Sequence, residues 1–271
     1  MSVRVSSRRQ VLWQAGAVAA WAGGRSRAAG AAEPSGRLAT VPASGPASAP
    51  DAASAEPASY LSEIIPSLEA PWPRNRTVNV VCHGHSVPAG YFNTPAVETF
   101  NAYPHLLHRG LKDRFPHAVI NVIVTAIGGE HSEAGAARFE RDALTHQPAV
   151  VTIDYALNDR RIGLEKAAAA WSRMIELATA RGVKVILLTP TPDTTARLDS
   201  PADPLLRHAG QVRELARRYG VGLADSLAAF QKRIAAGTDL AGLMSQFNHP
   251  NRRGHELVAA ELLRWFPSSS G

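Results

Sequence analysis

Cysteine, membrane-length apolar runs and metal-binding motifs are all scarce in this sequence, and each shortage closes off a class of protein. A single cysteine, Cys82, among 271 residues excludes an intramolecular disulfide and a cysteine-built zinc site. The most continuous small-apolar stretch near the N-terminus, residues 11–24, falls short of the ~20 apolar residues a membrane-spanning helix needs. The ten histidines include no His-Glu-x-x-His pair. His83-x-His85 with His131 offers metal ligands only weakly, so neither a metal nor another cofactor is expected. No basic stripe interleaved with aromatics occurs, which argues against a nucleic-acid partner.

What is present is a chain of 45% hydrophobic and 19% charged residues, enough to bury a sizeable core. The formal charge of +6 is a property of the N-terminus: residues 1–31 hold five arginines and no acid, which leaves +1 for the rest. There Arg8-Arg9 precede the short apolar run, and Ala29-Gly30-Ala31 supplies small residues for cleavage. This layout predicts a signal peptide of twin-arginine type over 1–31, and hence an exported, periplasmic or extracellular protein with no stable membrane anchor. Residues 32–59 are mostly Ala, Pro, Ser and Gly and are expected to form a disordered linker. The folded unit is expected over 60–267.

Within that unit, short β-branched runs alternate with helical patterns. Strands are expected at 78–82, 120–126, 150–155, 183–189 and 221–224, and helices at 97–115, 133–146, 164–181, 205–219 and 252–265. Alternation of this kind implies an α/β fold, a five-stranded parallel sheet covered on both faces. Function in such sheets sits at the carboxyl ends of the strands. The first strand there delivers Gly84-His85-Ser86-Val87, the second Gly128-Gly129-Glu130-His131 and the third Asp154-Tyr155-Ala156-Leu157-Asn158-Asp159. Asn248-His249-Pro250-Asn251 precedes the last helix, where Pro and Asn are suited to opening it.

In order and spacing these four blocks resemble the SGNH or GDSL hydrolases, across the whole of 60–267. The resemblance implies a flavodoxin-like three-layer α/β/α sandwich and a serine esterase acting through an acyl-enzyme. It assigns Ser86 as nucleophile and His249 as general acid-base, with Ser86, Gly129 and Asn158 binding the oxyanion. A small-molecule or carbohydrate ester, such as an O-acetyl sugar, is the expected substrate. An O-acyltransferase using the same serine, or a silent sandwich binding glycans or a partner protein, are the alternatives.

The sequence departs from that family's usual pattern in three places, one of them the third block, where Tyr155-Ala156-Leu157 stands instead of the glycines that often precede the asparagine. His85 stands where an aspartate is common, and Gln246 stands three residues before His249, where an aspartate usually orients the imidazole. Three substitutes are open: Gln246 through its amide oxygen, a backbone carbonyl, or another carboxylate from among Asp154, Asp159 and Asp239. His85, His131 and Tyr91 are candidate pocket residues; Cys82, Tyr155, Trp171, Trp265 and His255 are expected to be structural. Trp72, between two prolines, is expected to clamp the chain where it joins the domain. Arg160-Arg161 and Arg252-Arg253 are expected to be solvated charges which, by their place near the rim, are also able to attract anionic groups.

Overall fold

The computed structural model describes residues 55–268. The expected signal peptide and all but the last five residues of the expected linker lie outside them. A hydrogen-bonded turn over residues 56–60 leads into a short helix α1 (Ile65–Glu69). The sheet and its connections then run β1 (Thr77–Gly84), α2 (Ser86–Ala89), α3 (Tyr103–Arg114), β2 (Val119–Val124), α4 (Ser132–Asp142), β3 (Val150–Asp154), α5 (Ala156–Asp159), α6 (Leu164–Thr179), β4 (Lys184–Leu188), α7 (Pro204–Tyr219), β5 (Gly222–Ala224) and α8 (Ser226–Ala235). A hairpin of β6 (Met244–Gln246) and β7 (His249–Pro250) precedes α9 (Arg252–Leu263).

Five strands form one parallel sheet in the order β2-β1-β3-β4-β5, as the alternation of the sequence implies. The period of two along each strand divides its side chains between two cores. Val78, Val80, Cys82, Ile186 and Leu188 join one cluster with side chains of α1, α3, α8 and α9. Val81, Val151, Ile153, Val185 and Leu187 join the other with α4, α6 and much of α7. Trp171 and Tyr155 are buried on the second side, and Trp265 on the first. Each such large side chain contributes roughly 1.5–3 kcal/mol relative to exposure.

Strand order reverses between β1 and β3, which makes their carboxyl ends the place for a ligand in sheets of this order. The loops there are tied together by their backbones. His85 N–H donates to the Asp154 carbonyl (3.2 Å), Ile127 N–H to that of Gly84 (3.0 Å) and Thr125 N–H to that of Cys82 (3.0 Å).

The helix boundaries differ from expectation where a local signal outweighs periodicity. A helix over 97–115 is expected, yet α3 starts only at Tyr103, with Pro104 in its first turn; Val97 instead pairs as a β-bridge with Tyr91, and residues 99–101 form a single 3₁₀ turn. The helix expected over 133–146 ends at Asp142 and is followed by a separate 3₁₀ turn, closed by Gln147 in the left-handed region. Helix α8 is not anticipated at all; Asp225 caps it by accepting from Ala228 N–H (3.1 Å). Trp72 is 83% exposed and clamps nothing.

Gly84, last in β1, has no room for a side chain. A Cβ there would lie 2.5 Å from the Asp154 carbonyl oxygen and 2.7 Å from Pro88 Cγ, so β1 and β3 close on each other only around a hydrogen. Gly84→Ala is therefore expected to destabilise the domain by about 1–3 kcal/mol, lowering Tm by roughly 2–12 °C. Thermal denaturation checks this, and an unchanged Tm contradicts it.

Candidate active site

Ser86 opens α2 immediately after β1 and is 7% exposed. His85, at the helix N-cap, accepts from Val87 N–H through Nδ1 (3.3 Å), which fixes the turn that presents Ser86. The Ser86 hydroxyl faces His249, with Oγ and Nε2 2.9 Å apart. The other ring nitrogen of His249, Nδ1, lies 3.0 Å from the Phe92 carbonyl oxygen. A carbonyl only accepts, so Nδ1 carries the proton and Nε2 is left as the acceptor for the hydroxyl. A serine hydroxyl bonded to a base that a third group orients is the arrangement that activates this weak nucleophile.

The third group is thus a backbone carbonyl. Gln246 does not take that part: it pairs with His249 along the β6–β7 hairpin, but its Oε1 accepts from Thr94 N–H (2.9 Å) and its Nε2 donates to Asn248 Oδ1 (3.0 Å). The amide therefore holds the loop next to Phe92. The three carboxylates considered as substitutes are also engaged elsewhere. Asp154 is buried, 3.3 Å from His85 Nε2 and accepting from Tyr103 Oη–H (3.3 Å). Asp159 accepts from Ser132 N–H and Trp171 Nε1–H, both at 2.7 Å. Exposed Asp239 accepts from Ala241 N–H (3.2 Å), where it caps a 3₁₀ turn.

The Phe92 carbonyl is itself held from the core. The Phe92 ring is buried and stacks on His255 with centroids 5.0 Å apart and planes 20° from parallel. His255, wholly buried on α9, accepts from Tyr103 N–H through Nδ1 (3.1 Å), and burial pushes its pKa down to about 3, with the nearby charge of His249 acting the same way. It is a neutral structural imidazole, as its place on the last helix suggests.

Gly129 and Asn158 stand at the same end of the sheet. Gly129 has φ +78°, in the left-handed region that suits glycine, and open space where a Cβ would be. Asn158 Nδ2 donates one hydrogen to the Glu130 carbonyl (2.9 Å), which fixes the amide and, among the described residues, leaves its second hydrogen without an acceptor. Among the described residues, the N–H groups of Ser86 and Gly129 also lack an intramolecular acceptor. Free donors at the carboxyl end of the sheet are of the kind a developing oxyanion needs.

The loop carrying Gly129 is braced in a way the sequence does not reveal. Arg138, 7% exposed on α4, donates through Nε to Glu130 Oε1 (2.9 Å) and through Nη1 to the Thr125 carbonyl (2.6 Å). Tyr155 Oη–H donates to Glu130 Oε2 (2.9 Å), so Tyr155 is a core aromatic with a polar anchor. Tyr91 tilts against His249, with ring centroids 6.1 Å apart, and abuts Gly128. His85 is fully buried, with Nδ1 3.4 Å from Ser86 Oγ, and belongs to the floor of the site. His131, half-buried at the head of α4, makes no side-chain capping bond, and no hydrogen bond joins it to Ser86 among the described residues. No group of three or more His, Cys, Asp or Glu among the described residues is placed to hold a metal.

A parallel α/β sandwich with a serine–imidazole pair at its strand switch point defines the class, an α/β serine hydrolase. A family model described as GDSL-like Lipase/Acylhydrolase matches residues 82–257, and the chain belongs to that family of ester-hydrolysing serine hydrolases. No curated protein matches it in sequence. Among solved structures it is similar to Axe2, an acetylxylan esterase from Geobacillus stearothermophilus, with TM-score 0.60 and 21% identity over 70% of this chain and 94% of that one. A two-domain esterase (CEX) active on acetylated mannans gives TM-score 0.60 and 21% identity; 76% of this chain aligns with 52% of that one, about half its length. A putative GDSL-like lipase from Parabacteroides merdae gives TM-score 0.61 at 13% identity over 70% and 95%.

His249 is a base only while neutral. Burial pushes its pKa below the usual 6.5; the Phe92 carbonyl opposes that shift, and the charge of His85 reinforces it. Because the folded value is lowered, the neutral form persists to more acid pH than for a free imidazole. The acidic limb of kcat/KM for an ester is therefore expected to have its midpoint below pH 6.5. A limb centred above that value contradicts the assigned environment.

Proposed function

We propose that the protein is an exported esterase that removes short acyl groups, acetyl foremost, from a carbohydrate through an acyl-enzyme on Ser86. The observation that carries the reading is the 2.9 Å bond from Ser86 Oγ to a His249 ring whose opposite nitrogen is bonded to Phe92. Nε2 takes the hydroxyl proton as Oγ attacks the acyl carbon. The oxyanion is received by the N–H groups of Ser86 and Gly129 and by the Asn158 amide, each such donor worth roughly 3–4 kcal/mol when removed singly. The imidazolium then gives its proton to the leaving sugar oxygen. Water attacks the acyl-enzyme with the same imidazole as base, releasing the carboxylic acid and restoring Ser86.

Without an aspartate the imidazolium lacks a full counter-charge. Losing the acid from a Ser-His-Asp triad costs about 10⁴-fold in turnover, in part because the wrong tautomer forms. Here the Phe92 carbonyl supports the right tautomer, so only the part of that loss due to charge is incurred. A small acyl group suits a serine that is itself only 7% exposed, with the Tyr91 ring tilted against its imidazole partner. The carbohydrate side is supported by fold neighbours that act on acetylated xylan and acetylated mannans. Export is supported by Arg8-Arg9 and the apolar run behind them.

The test is hydrolysis of 4-nitrophenyl acetate and of an acetylated xylo-oligosaccharide by the purified protein, beside Ser86→Ala. Turnover is expected to fall roughly 10⁴-fold or more in the variant, with the circular-dichroism spectrum unchanged. Equal turnover by the two proteins removes Ser86 from the mechanism.

A further inference from the structure

Beside Asn158 the surface carries two neighbouring hollows of about 470 and 330 Å³ that share Arg160 and Pro204 as walls, the second reaching His208; together they are treated as one trough. Its charged walls are unequal. Arg160, Arg161 and Arg207 line it, against Asp203 alone. The Asp203 carboxylate already accepts from Leu205 N–H and Arg197 N–H, both at 2.8 Å. Arg160 is held in place by Asp193 behind it (2.5 Å) and by the Leu157 carbonyl (2.9 Å). Arg161 and Arg207 are exposed and make no ion pair among the described residues. Arg161 also donates to the Gly129 carbonyl, so this charge is fastened to the loop of the catalytic rim.

We propose that this trough binds a carboxylate on the sugar portion of the ester, so that acylated acidic carbohydrates of the uronic type are the preferred substrates. The inference rests on the esterase reading and specifies its substrate class. Guanidinium groups present paired, coplanar N–H donors that match the two oxygens of a carboxylate, which a neutral sugar leaves unmatched. The trough begins at Asn158, so a sugar whose acyl carbonyl lies over that amide extends naturally along Arg161. The local field is positive: His208, buried at the far end, has its pKa pushed down to about 4 by burial and then by the charges of Arg160 and Arg207. It adds no charge of its own at neutral pH.

The experiment compares kcat/KM for an acetylated neutral xylo-oligosaccharide with that for the same backbone carrying a glucuronic acid, in wild type, Arg207→Gln and Arg207→Lys, with 4-nitrophenyl acetate as reference. At low ionic strength the wild type is expected to favour the acidic substrate by about tenfold, through KM more than kcat, and to lose that preference in high salt. Arg207→Gln is expected to reduce the acidic-to-neutral ratio by about fivefold, with Arg207→Lys retaining part of it. A wild-type ratio near one, or a ratio untouched by Arg207→Gln, overturns the inference while leaving the esterase reading in place. Absence of turnover on all three substrates by folded protein defeats the esterase reading and takes the inference with it.

Discussion

The imidazole of His249 is gripped at both nitrogens, by the Ser86 hydroxyl on one side and the Phe92 carbonyl on the other, and the chemistry of the site depends on that grip. The grip is transmitted from the core. Asp154 at the end of β3 accepts from the Tyr103 hydroxyl, Tyr103 N–H donates to His255, and the His255 ring stacks on Phe92. Each link is buried, so the Phe92 carbonyl is held by packing that the rest of the fold requires anyway. The site is preorganised because the sheet and α9 are.

A carbonyl in the place of a carboxylate changes the balance of the reaction without changing its course. Both acceptors force the proton onto Nδ1; only a carboxylate adds a full charge opposite the imidazolium that forms in the transition state. The carboxylates that the sequence offers as substitutes do not fill that role. Asp154 lies 3.3 Å from His85 Nε2 and accepts from the Tyr103 hydroxyl. Asp159 joins α5 to the head of α4 and to Trp171, and burial pushes its pKa up despite those hydrogen bonds. The catalytic base therefore works in a neutral, partly desolvated setting, and this keeps its own pKa low.

The parallel sheet was legible because β-branched runs such as Val150–Asp154 are buried on both faces and carry no competing pattern. Ser86 and His249 were legible as a pair of blocks in a known order, and the coordinates bring them into contact. The orienting group was legible only as one alternative, a backbone carbonyl, and not as Phe92, since a carbonyl has the same covalent form at every residue and leaves no mark on the sequence. Gln246 drew notice by its position, whereas its amide stabilises the loop at Thr94. The late start of α3 and the Arg138–Glu130 brace also depend on tertiary partners, which outweigh periodicity at the one and give no spacing signal at the other. Arg160 and Arg161 read from sequence as solvated rim charges able to attract anions, whereas the part of Arg207 shows only in the hollows that the fold places beside them.

The central claim is that the Phe92 carbonyl holds the proton on Nδ1 of His249, so that Nε2 is free to act as the base. ¹⁵N NMR of the folded protein labelled at histidine, with His249 assigned by comparison with His249→Gln, reads that proton directly. The account predicts a neutral imidazole at pH 7 in the Nδ1–H form, with an unprotonated Nε2 whose resonance moves in Ser86→Ala. An Nε2–H tautomer, or a doubly protonated ring at that pH, contradicts it.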